Sequence, residues 1–253
     1  MPLNPYETQS LLEEYLLLHY AEPETVLPYG FGPREALNFP ARCVSELVTP
    51  VRDARALELG CAVGRASFEL STFCRNVVGI DYSRSFITEA QRLSQEKTAR
   101  YSYSVEGELR EQAELCLRAE FRPEVVQFEV GDATALREDL GAFDIVLAAN
   151  LLCRVPDPQA VLERLPHLVE PQGQLVITSP YTWLEEYTPK ERWLGGFLRQ
   201  GEAIRSLATL KAHLEPHFDL VKTVDMPFLI REHARKFQWS VAQATVWTRK
   251  SKS

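Results

Sequence analysis

The sequence predicts an α/β protein built on a mostly parallel β-sheet, and three observations lead to this prediction. From residue 55 onward, short apolar runs rich in β-branched residues alternate with helical patterns. A glycine-containing turn directly follows the first apolar run, and an acid or amide side chain ends three of the later runs. Strand–helix alternation of this kind places helices on both faces of a parallel sheet.

Seven strands are predicted, of which five form the parallel part of the sheet. The predicted strands are 55–59, 76–80, 125–130, 143–148, 174–179, 219–225 and 239–248. Helices are predicted over 65–73, 83–95 and 158–168, with Ser83 as the cap of the second. The last two strands are separated by about a dozen residues instead of a crossover helix, which predicts a late antiparallel pair.

The N-terminal residues predict a helical cap over 1–50, followed by the main domain over 51–253. Leucines and tyrosines at helical spacing predict a helix over 6–20, and a second helix is predicted over 40–48 after a loop rich in proline and glycine. Two stretches exceed what the sheet needs and are predicted to be insertions, near 99–123 and 181–201. Long segments after strands are natural covers for a bound substrate.

Composition limits the classes of partner. Apolar residues make up 45% of the 253 residues and charged residues 25%, with a net charge of -7, as in ordinary globular proteins. No Lys/Arg cluster is visible, so a nucleic-acid partner is not expected. The five widely spaced cysteines lack zinc-ligand spacing. We therefore expect no metal site and expect the cysteines to be free thiols. A polar N-terminus and the absence of a long apolar run predict no signal peptide, no membrane partner and a cytoplasmic location.

The turn after the first predicted strand has the pattern of a nucleotide-binding loop. Glu58, Gly60 and Gly64 fit E-x-G-x-x-x-G rather than G-x-G-x-x-G, and Ala62 replaces a common middle glycine. Glycines let the backbone approach a ligand without an intervening side chain. A small residue at position 62 still fits such a turn.

Three further polar residues end predicted strands at the same edge of the sheet. Asp81 is suited to the two hydroxyls of a ribose, Asp132 to the amino group of an adenine, and Asn150 to the reacting end of a cofactor. Each residue alone could equally cap a helix or form a turn. Their position at successive strand ends, after the glycine turn, predicts an adenosyl-cofactor site.

Residues 55–180, with these motifs in order, resemble the core of class I S-adenosylmethionine-dependent methyltransferases. The resemblance implies a Rossmann-like, seven-stranded, mostly parallel sheet with an antiparallel last strand. It also implies S-adenosyl-L-methionine as cofactor, S-adenosyl-L-homocysteine as product, and Glu58 as the residue that organises the loop and the methionine amine. The predicted cofactor contacts are Glu58, Gly60, Cys61, Ala62, Gly64, Asp81, Tyr82, Ser83, Asp132, Ala133, Asn150 and Leu151.

Four flanking segments, within 6–20, 27–42, 179–190 and 226–239, resemble the methyltransferases of ovothiol biosynthesis. That resemblance implies methyl transfer to the imidazole π-nitrogen of 5-thiohistidine, giving ovothiol A. It implies a stand-alone enzyme with a functional link to a separate sulfoxide synthase. Three alternatives remain open: another small acceptor such as a different histidine derivative, a binding-only cofactor sensor, and an RNA-modifying enzyme, which the net charge disfavours.

The resemblance to these enzymes suggests how a free amino acid would be recognised. An arginine fork or hydroxyls suit its carboxylate, a glutamate suits its ammonium, and aromatic walls suit its ring. The predicted catalytic residues are Asn150, Tyr181 and Arg231. The predicted substrate contacts are Tyr20, Tyr29, Asn150, Tyr181, Trp183, Glu186 and Arg231. A neutral imidazole nitrogen already has a lone pair, so no indispensable general base is expected; each aromatic residue could equally be ordinary packing.

Overall fold

The structure is a computed structural model that describes residues 5–251. Its N-terminal part is helical and contains two short 3-10 turns, Pro5–Glu7 and Arg34–Ala36. The helices here are α1 (Gln9–Tyr20), α2 (Pro23–Val26) and α3 (Phe39–Ser45). The first helix, predicted from residue 6, begins at Gln9 in the structure. Thr8 caps it, because the Thr8 side chain accepts a hydrogen bond from the Leu11 amide.

The elements of the main domain follow in strand–helix alternation, with one separate hairpin at the first predicted insertion and another at the end of the second. The first group is β1 (Arg55–Leu59), α4 (Arg65–Ser71), β2 (Asn76–Asp81), α5 (Arg84–Glu96) and the hairpin β3 (Thr98–Glu106) and β4 (Leu109–Cys116). The second group is β5 (Val126–Val130), β6 (Phe143–Ala149), α6 (Pro158–Leu168) and β7 (Val169–Ser179). The last group is β8 (Phe197–Arg199), β9 (Glu202–Ile204), α7 (Ser206–Leu214), β10 (Phe218–His233) and β11 (Lys236–Arg249).

The main sheet has seven strands in the order β5-β2-β1-β6-β7-β11-β10. All of its strands run parallel except β11, which is antiparallel to both of its neighbours. The predicted Rossmann-like class with an antiparallel last strand is confirmed. The strand order reverses between β1 and β6, and ligands of open α/β sheets bind outside the carboxyl ends of the strands at such a point.

Each face of the sheet carries its own hydrophobic core because side chains alternate along a strand. On β7, Val176 faces the core under α1, α3, α4 and α5, whereas Ile177 faces the core under α6 and α7. The largest fully buried side chains are Trp247 on the α6–α7 side and Phe68 and Phe86 on the α4–α5 side.

The predicted dozen-residue connection between the last two strands is wrong, because β10 and β11 form one long hairpin. Asp225 on β10 and Gln243 on β11 lie level with Ser179 at the carboxyl edge of β7, and the hairpin continues beyond them. In this extension Phe228 packs against the core under α1 and α3, while Leu229 packs against the loop after α2. Both faces of β10 are covered here, so this part of the strand lacks the apolar–polar alternation by which a strand is predicted.

Candidate cofactor and acceptor site

The turn between β1 and α4 adopts a backbone conformation that favours glycine. Gly60 and Gly64 have φ angles of 74° and 87°, and a Cβ atom at Gly64 would lie 2.5 Å from the Phe128 ring. Ala62 also has a positive φ of 47°, although it carries a side chain. A larger residue at position 64 would therefore collide with the core beside the turn, so only glycine lets the turn lie this close to Phe128.

Asp81, at the end of β2, ties this turn to the start of α5. Its Oδ2 accepts a hydrogen bond of 2.8 Å from the Ala62 amide, and its Oδ1 accepts one of 2.9 Å from the Ser83 amide. Burial raises the pKa of the Asp81 carboxyl, and the two backbone hydrogen bonds oppose the rise. Each carboxylate oxygen keeps a second lone pair, which suits the two hydroxyls of a ribose.

Glu58 lies beneath the turn and is 3% exposed. The Ser67 hydroxyl on α4 donates a hydrogen bond to its carboxylate. Burial raises the pKa of Glu58 to about 8, even though the bonds from Ser67 act to lower it. Glu58 thus contacts α4 through Ser67, and this hydrogen bond helps to fix the turn.

The end of α1 holds the turn from the other side. The Tyr20 hydroxyl donates a 2.7 Å hydrogen bond to the Val63 carbonyl, and Arg65 donates one of 2.8 Å to the His19 carbonyl. The hydroxyl hydrogen of Tyr20, a predicted substrate contact, is therefore used by the turn. We assign it a positioning role for the glycine turn.

Asp132 follows β5 and forms a tight turn of its own. Its Oδ1 accepts hydrogen bonds of 2.8 Å from the Thr134 amide and 2.7 Å from the Thr134 hydroxyl. The amide of Gly131 donates to the Asp81 carbonyl at 2.9 Å, which joins the ends of β5 and β2. The second oxygen of Asp132 makes no hydrogen bond within the described residues and is suited to accept one from an adenine amino group.

Asn150 follows β6 at the point where the strand order reverses. Its φ is 52°, and its amide donates to the Thr178 carbonyl at 2.9 Å. The Thr178 hydroxyl donates to Asn150 Oδ1 at 2.9 Å. Because the oxygen is used in this way, the side-chain nitrogen is left to donate to a ligand. Leu151 packs directly against Gly60.

The other predicted cofactor residues differ in exposure. Cys61 and Ala133 are buried beside the turn and β5, Ser83 is the buried cap of α5, and Tyr82 is 67% exposed. All five cysteines are free thiols. Within residues 5–251, no group of three His, Cys, Asp or Glu side chains could hold a metal ion.

Tyr181 follows β7, the strand next to the one that Asn150 follows, and it contacts residues that the sequence did not single out. Its hydroxyl donates to Gln243 Oε1 at 3.1 Å, and Gln243 pairs with Asp225 on β10. Burial and the nearby Asp225 charge raise the pKa of Tyr181 to about 12, so the hydroxyl stays protonated. Gln243 and Asp225 could not be found from the sequence, because their position follows from the pairing of β11 with β7.

An aromatic cluster stands over Asp81 and joins the N-terminal segment to the second insertion. The Tyr15 and Phe86 rings lie 4.7 Å apart, and Tyr6 lies 6.1 Å from both Tyr15 and Tyr187. Burial raises the pKa of the Tyr6 and Tyr15 hydroxyls. The cluster lies close enough to Asp81 for that charge to raise the pKa of Tyr15.

Two predicted substrate residues of the second insertion do not offer polar groups to this edge. Trp183 is buried, and its indole nitrogen, the one polar atom of the side chain, donates to the Ser206 hydroxyl at 2.9 Å. Trp193 stacks against it at 6.4 Å. Glu186 is exposed on the surface. For Trp183 the packing alternative therefore describes the structure better than substrate contact does.

Arg231 and Tyr29 also lie away from the edge. Arg231 donates to the Thr25 carbonyl and lies 4.9 Å over the Tyr103 ring. Its small cavity, of about 20 Å³, is lined on α1 by Ser10, Glu13, Glu14 and Leu17. Tyr15 points from the opposite face of α1 and is close enough to Asp81 for that charge to raise its pKa. The helix therefore separates Arg231 from the cofactor edge.

Tyr29 contacts the turn of the long β10–β11 hairpin. Its hydroxyl donates to the Ala234 carbonyl at 2.8 Å, and its ring stacks on Phe31 at 5.3 Å. The contacts of Tyr29 and Arg231 thus hold the hairpin extension against the N-terminal segment, and neither residue contacts Asn150 or Tyr181 in the structure.

A family model described as a methyltransferase domain matches residues 51–223 of the chain. The chain belongs to the S-adenosylmethionine-dependent methyltransferase family. A ubiquinone biosynthesis O-methyltransferase of Xanthomonas axonopodis pv. citri is 28% identical over 149 residues, which cover 58% of this chain and 52% of that protein. The chain spans about half the length of the curated relatives it matches.

Solved structures of similar fold agree with this membership. The YcgJ protein from Bacillus subtilis has a TM-score of 0.55 and 14% identity, covering 85% of this chain and 99% of that chain. The N-methyltransferase NodS from Bradyrhizobium japonicum WM9, in complex with S-adenosyl-L-homocysteine, has a TM-score of 0.52 and 16% identity, covering 95% and 99%. At these identities the likeness establishes the fold.

The cofactor of this family is S-adenosyl-L-methionine, and the residues at the carboxyl edge fit it. Asp81 and Asp132 each retain carboxylate lone pairs for hydroxyl or amino donors. Asn150 follows β6 where the strand order reverses, and its side-chain nitrogen is left to donate. No helix in the described part of the chain is long and apolar enough to cross a membrane.

Proposed function

We propose that the protein transfers the methyl group of S-adenosylmethionine to the imidazole π-nitrogen of 5-thiohistidine, giving ovothiol A. One observation carries the proposal. The segment 179–190, whose sequence resembles the ovothiol-biosynthesis methyltransferases, leaves β7 beside Asn150, where the strand order reverses. The residues that distinguish the family thus adjoin the position where a ligand of this fold binds.

Methyl transfer to this nitrogen depends on alignment of the acceptor with the methyl group more than on proton transfer. When bound, S-adenosylmethionine supplies an electrophilic methyl group, so the protein needs to orient the acceptor nitrogen and exclude water. The acceptor nitrogen has a lone pair in the neutral ring, and no base has to act first. His19, the buried histidine nearest the turn, has its pKa lowered to about 3 by burial and by Arg65, so it stays neutral.

The part of the carboxyl edge around Asn150, Tyr181 and Gln243, here called the acceptor half, suits a small, polar, flat molecule. Asn150 has an amide nitrogen left to donate, and Tyr181 and Gln243 form a hydrogen-bonded pair beside it. The Tyr187 and Tyr15 rings border the same edge. Pockets for small ligands combine apolar walls with a few oriented polar groups in this way.

Transfer to a phenolic oxygen is a second candidate, favoured by the name of the relatives in ubiquinone biosynthesis. A phenol has to lose its proton during transfer, so its rate would rise with pH up to the pKa of the hydroxyl. A different histidine derivative is the third acceptor class, and it differs from 5-thiohistidine only in contacts to the sulfur. In the main proposal, the protein has a functional link to a separate sulfoxide synthase.

The test is an incubation of the purified protein with S-adenosylmethionine and, separately, 5-thiohistidine, histidine and a catechol. Mass spectrometry identifies the methylated product, and NMR correlation of the new methyl with the ring carbons identifies the nitrogen. We expect turnover of 5-thiohistidine at the π-nitrogen to exceed that of the other acceptors. Preferred methylation of the catechol, or of the other ring nitrogen, would contradict the proposal.

A further inference from the structure

Arg154 lies at the end of the 3-10 turn Leu152–Arg154, directly after Asn150 at the reversal of strand order. Its Nη1 donates to the Thr182 carbonyl at 2.9 Å and to the Cys153 carbonyl at 3.0 Å. The guanidinium carbon lies 4.8 Å over the centre of the Tyr187 ring. The side chain is therefore held between the end of β6 and the beginning of the second insertion.

The charge of Arg154 has no carboxylate partner in the described part of the chain. Other arginines nearby do have one, for example Arg192, which pairs with Asp157. The Nε and Nη2 atoms of Arg154 make no hydrogen bond within residues 5–251. Its charge is felt in the aromatic cluster, where it lowers the pKa of Tyr6 and Tyr15 against the rise that burial causes.

An unpaired, partly buried arginine at this edge carries an electrostatic cost unless a ligand brings an anion. The sulfonium of the cofactor would add a second positive charge. A guanidinium with two free donor groups matches the two oxygens of a carboxylate in a bidentate contact.

We propose that Arg154 binds the carboxylate of an α-amino acid ligand beside Asn150. This inference rests on the proposed function, because both the acceptor 5-thiohistidine and the methionine part of the cofactor carry such a carboxylate. Arg154 takes the role that the sequence had assigned to Arg231, which α1 separates from the edge. The Tyr187 ring positions the guanidinium, and the Thr182 and Cys153 carbonyls fix its rotation.

The test compares Arg154→Gln with Arg199→Gln, which makes the same change of charge in the second insertion. Arg199 is exposed and lies over Phe197, away from Asn150. The first measurement is the KM for 5-thiohistidine and for its decarboxylated counterpart. The second is the affinity for S-adenosylhomocysteine and for methylthioadenosine, which lacks the amino acid part.

For Arg154→Gln we expect the KM for 5-thiohistidine to rise about 10- to 100-fold, as for loss of a charge-assisted contact. The KM for the decarboxylated acceptor and both binding affinities should stay within about twofold of wild type, and Arg199→Gln should change none of them. A weaker affinity for S-adenosylhomocysteine, with methylthioadenosine unaffected, would support the carboxylate site and assign it to the cofactor.

Two results would overturn the assignment of Arg154. One is unchanged KM and affinity in Arg154→Gln, and the other is an equal loss with the decarboxylated acceptor. Failure of the proposed function gives a different result, namely no turnover of 5-thiohistidine by the wild-type protein. In that event, unchanged binding of S-adenosylhomocysteine by Arg154→Gln overturns this inference as well.

Discussion

The Asp81 carboxylate accepts a 2.8 Å hydrogen bond from the backbone amide of Ala62, the residue that replaces the middle glycine of the turn. Ala62 has a φ of 47°, a conformation that costs an alanine about 1 kcal/mol. One bond from a charged group offsets a strain of that size. Asp81 thus positions the turn as well as offering lone pairs to a ribose.

Substitution of Asp81 by asparagine should weaken the binding of S-adenosylhomocysteine. The amide keeps one acceptor oxygen and loses the charge, so we expect the Kd to rise about 10- to 100-fold. Isothermal titration measures this, with Asp139→Asn as the control because Asp139 is exposed and pairs with Arg137. Equal affinity in the two variants would show that Asp81 does not contact the cofactor.

The close approach of Gly64 to the Phe128 ring can be tested by adding one methyl group at position 64. Gly64→Ala combines backbone strain with a Cβ atom 2.5 Å from the Phe128 ring, whereas Gly201 has nearly the same φ, 86°, and nothing within 4 Å of its Cβ position. We expect the free energy of unfolding to fall by about 1–2 kcal/mol in Gly201→Ala and by about 2–5 kcal/mol in Gly64→Ala.

Urea denaturation of both variants measures the difference, which isolates the steric contribution from the strain. Gly64→Ala should also lose affinity for S-adenosylhomocysteine, while Gly201→Ala should keep it. Equal losses of stability in the two variants would mean that the turn can move away from Phe128.

Glu58 predicts a dependence of stability on pH. Its pKa is raised from 4.5 to about 8 by burial, so between these values the folded protein holds a proton that the unfolded chain releases. The free energy of unfolding should therefore fall as pH rises through this window and level off above it. Glu58→Gln carries no titrating group and should lack this component, so its stability relative to wild type should increase from pH 5 to pH 8.

Thermal unfolding in a pH series measures this relative stability. Glu108→Gln provides the control, because Glu108 is exposed on the loop between β3 and β4. The raised pKa of Asp81 contributes in the same direction in all three proteins. A constant difference between Glu58→Gln and wild type across the series would contradict the shift.

The placement of the glycine turn and the two acids at one edge of the sheet could be predicted from the sequence because its signals are local. The glycines near Cys61 and the acids Asp81 and Asp132 each adjoin an apolar run, and parallel strands bring their carboxyl ends to one edge. The acceptor half depends on longer-range pairing. Gln243 reaches Tyr181 only through the register of β11 with β7, and no local pattern encodes that register.

The predicted acceptor contacts Arg231 and Trp183 use the polar atoms at the ends of their side chains to bond to the protein itself. Composition suggests that a tryptophan or an arginine in a cover segment faces the substrate, yet such residues also bury their tips against the chain itself. Arg231 donates to the Thr25 carbonyl, and Trp183 donates to Ser206. Which partner is used follows from tertiary packing, so burial in the structure was needed to decide.

The packing role of Trp183 gives the last prediction. Trp183→Phe removes the indole N–H and leaves the buried Ser206 hydroxyl without its donor, so the free energy of unfolding should fall by about 1–3 kcal/mol. The KM for the acceptor should stay within about twofold of wild type. Tyr181→Phe, at the edge beside Asn150, should show the opposite pattern: a raised acceptor KM with a smaller loss of stability.

A double-mutant cycle with Ser206→Ala makes the assignment quantitative. If the two side chains act through their 2.9 Å hydrogen bond, Ser206→Ala should cost less in the Trp183→Phe background than in wild type, with a coupling of about 1 kcal/mol. Additive losses of stability, together with a raised acceptor KM in Trp183→Phe, would instead return Trp183 to the substrate site. The cycle separates the two roles because a hydrogen bond within the core couples the stabilities of its partners, whereas a contact with the acceptor changes turnover without such coupling.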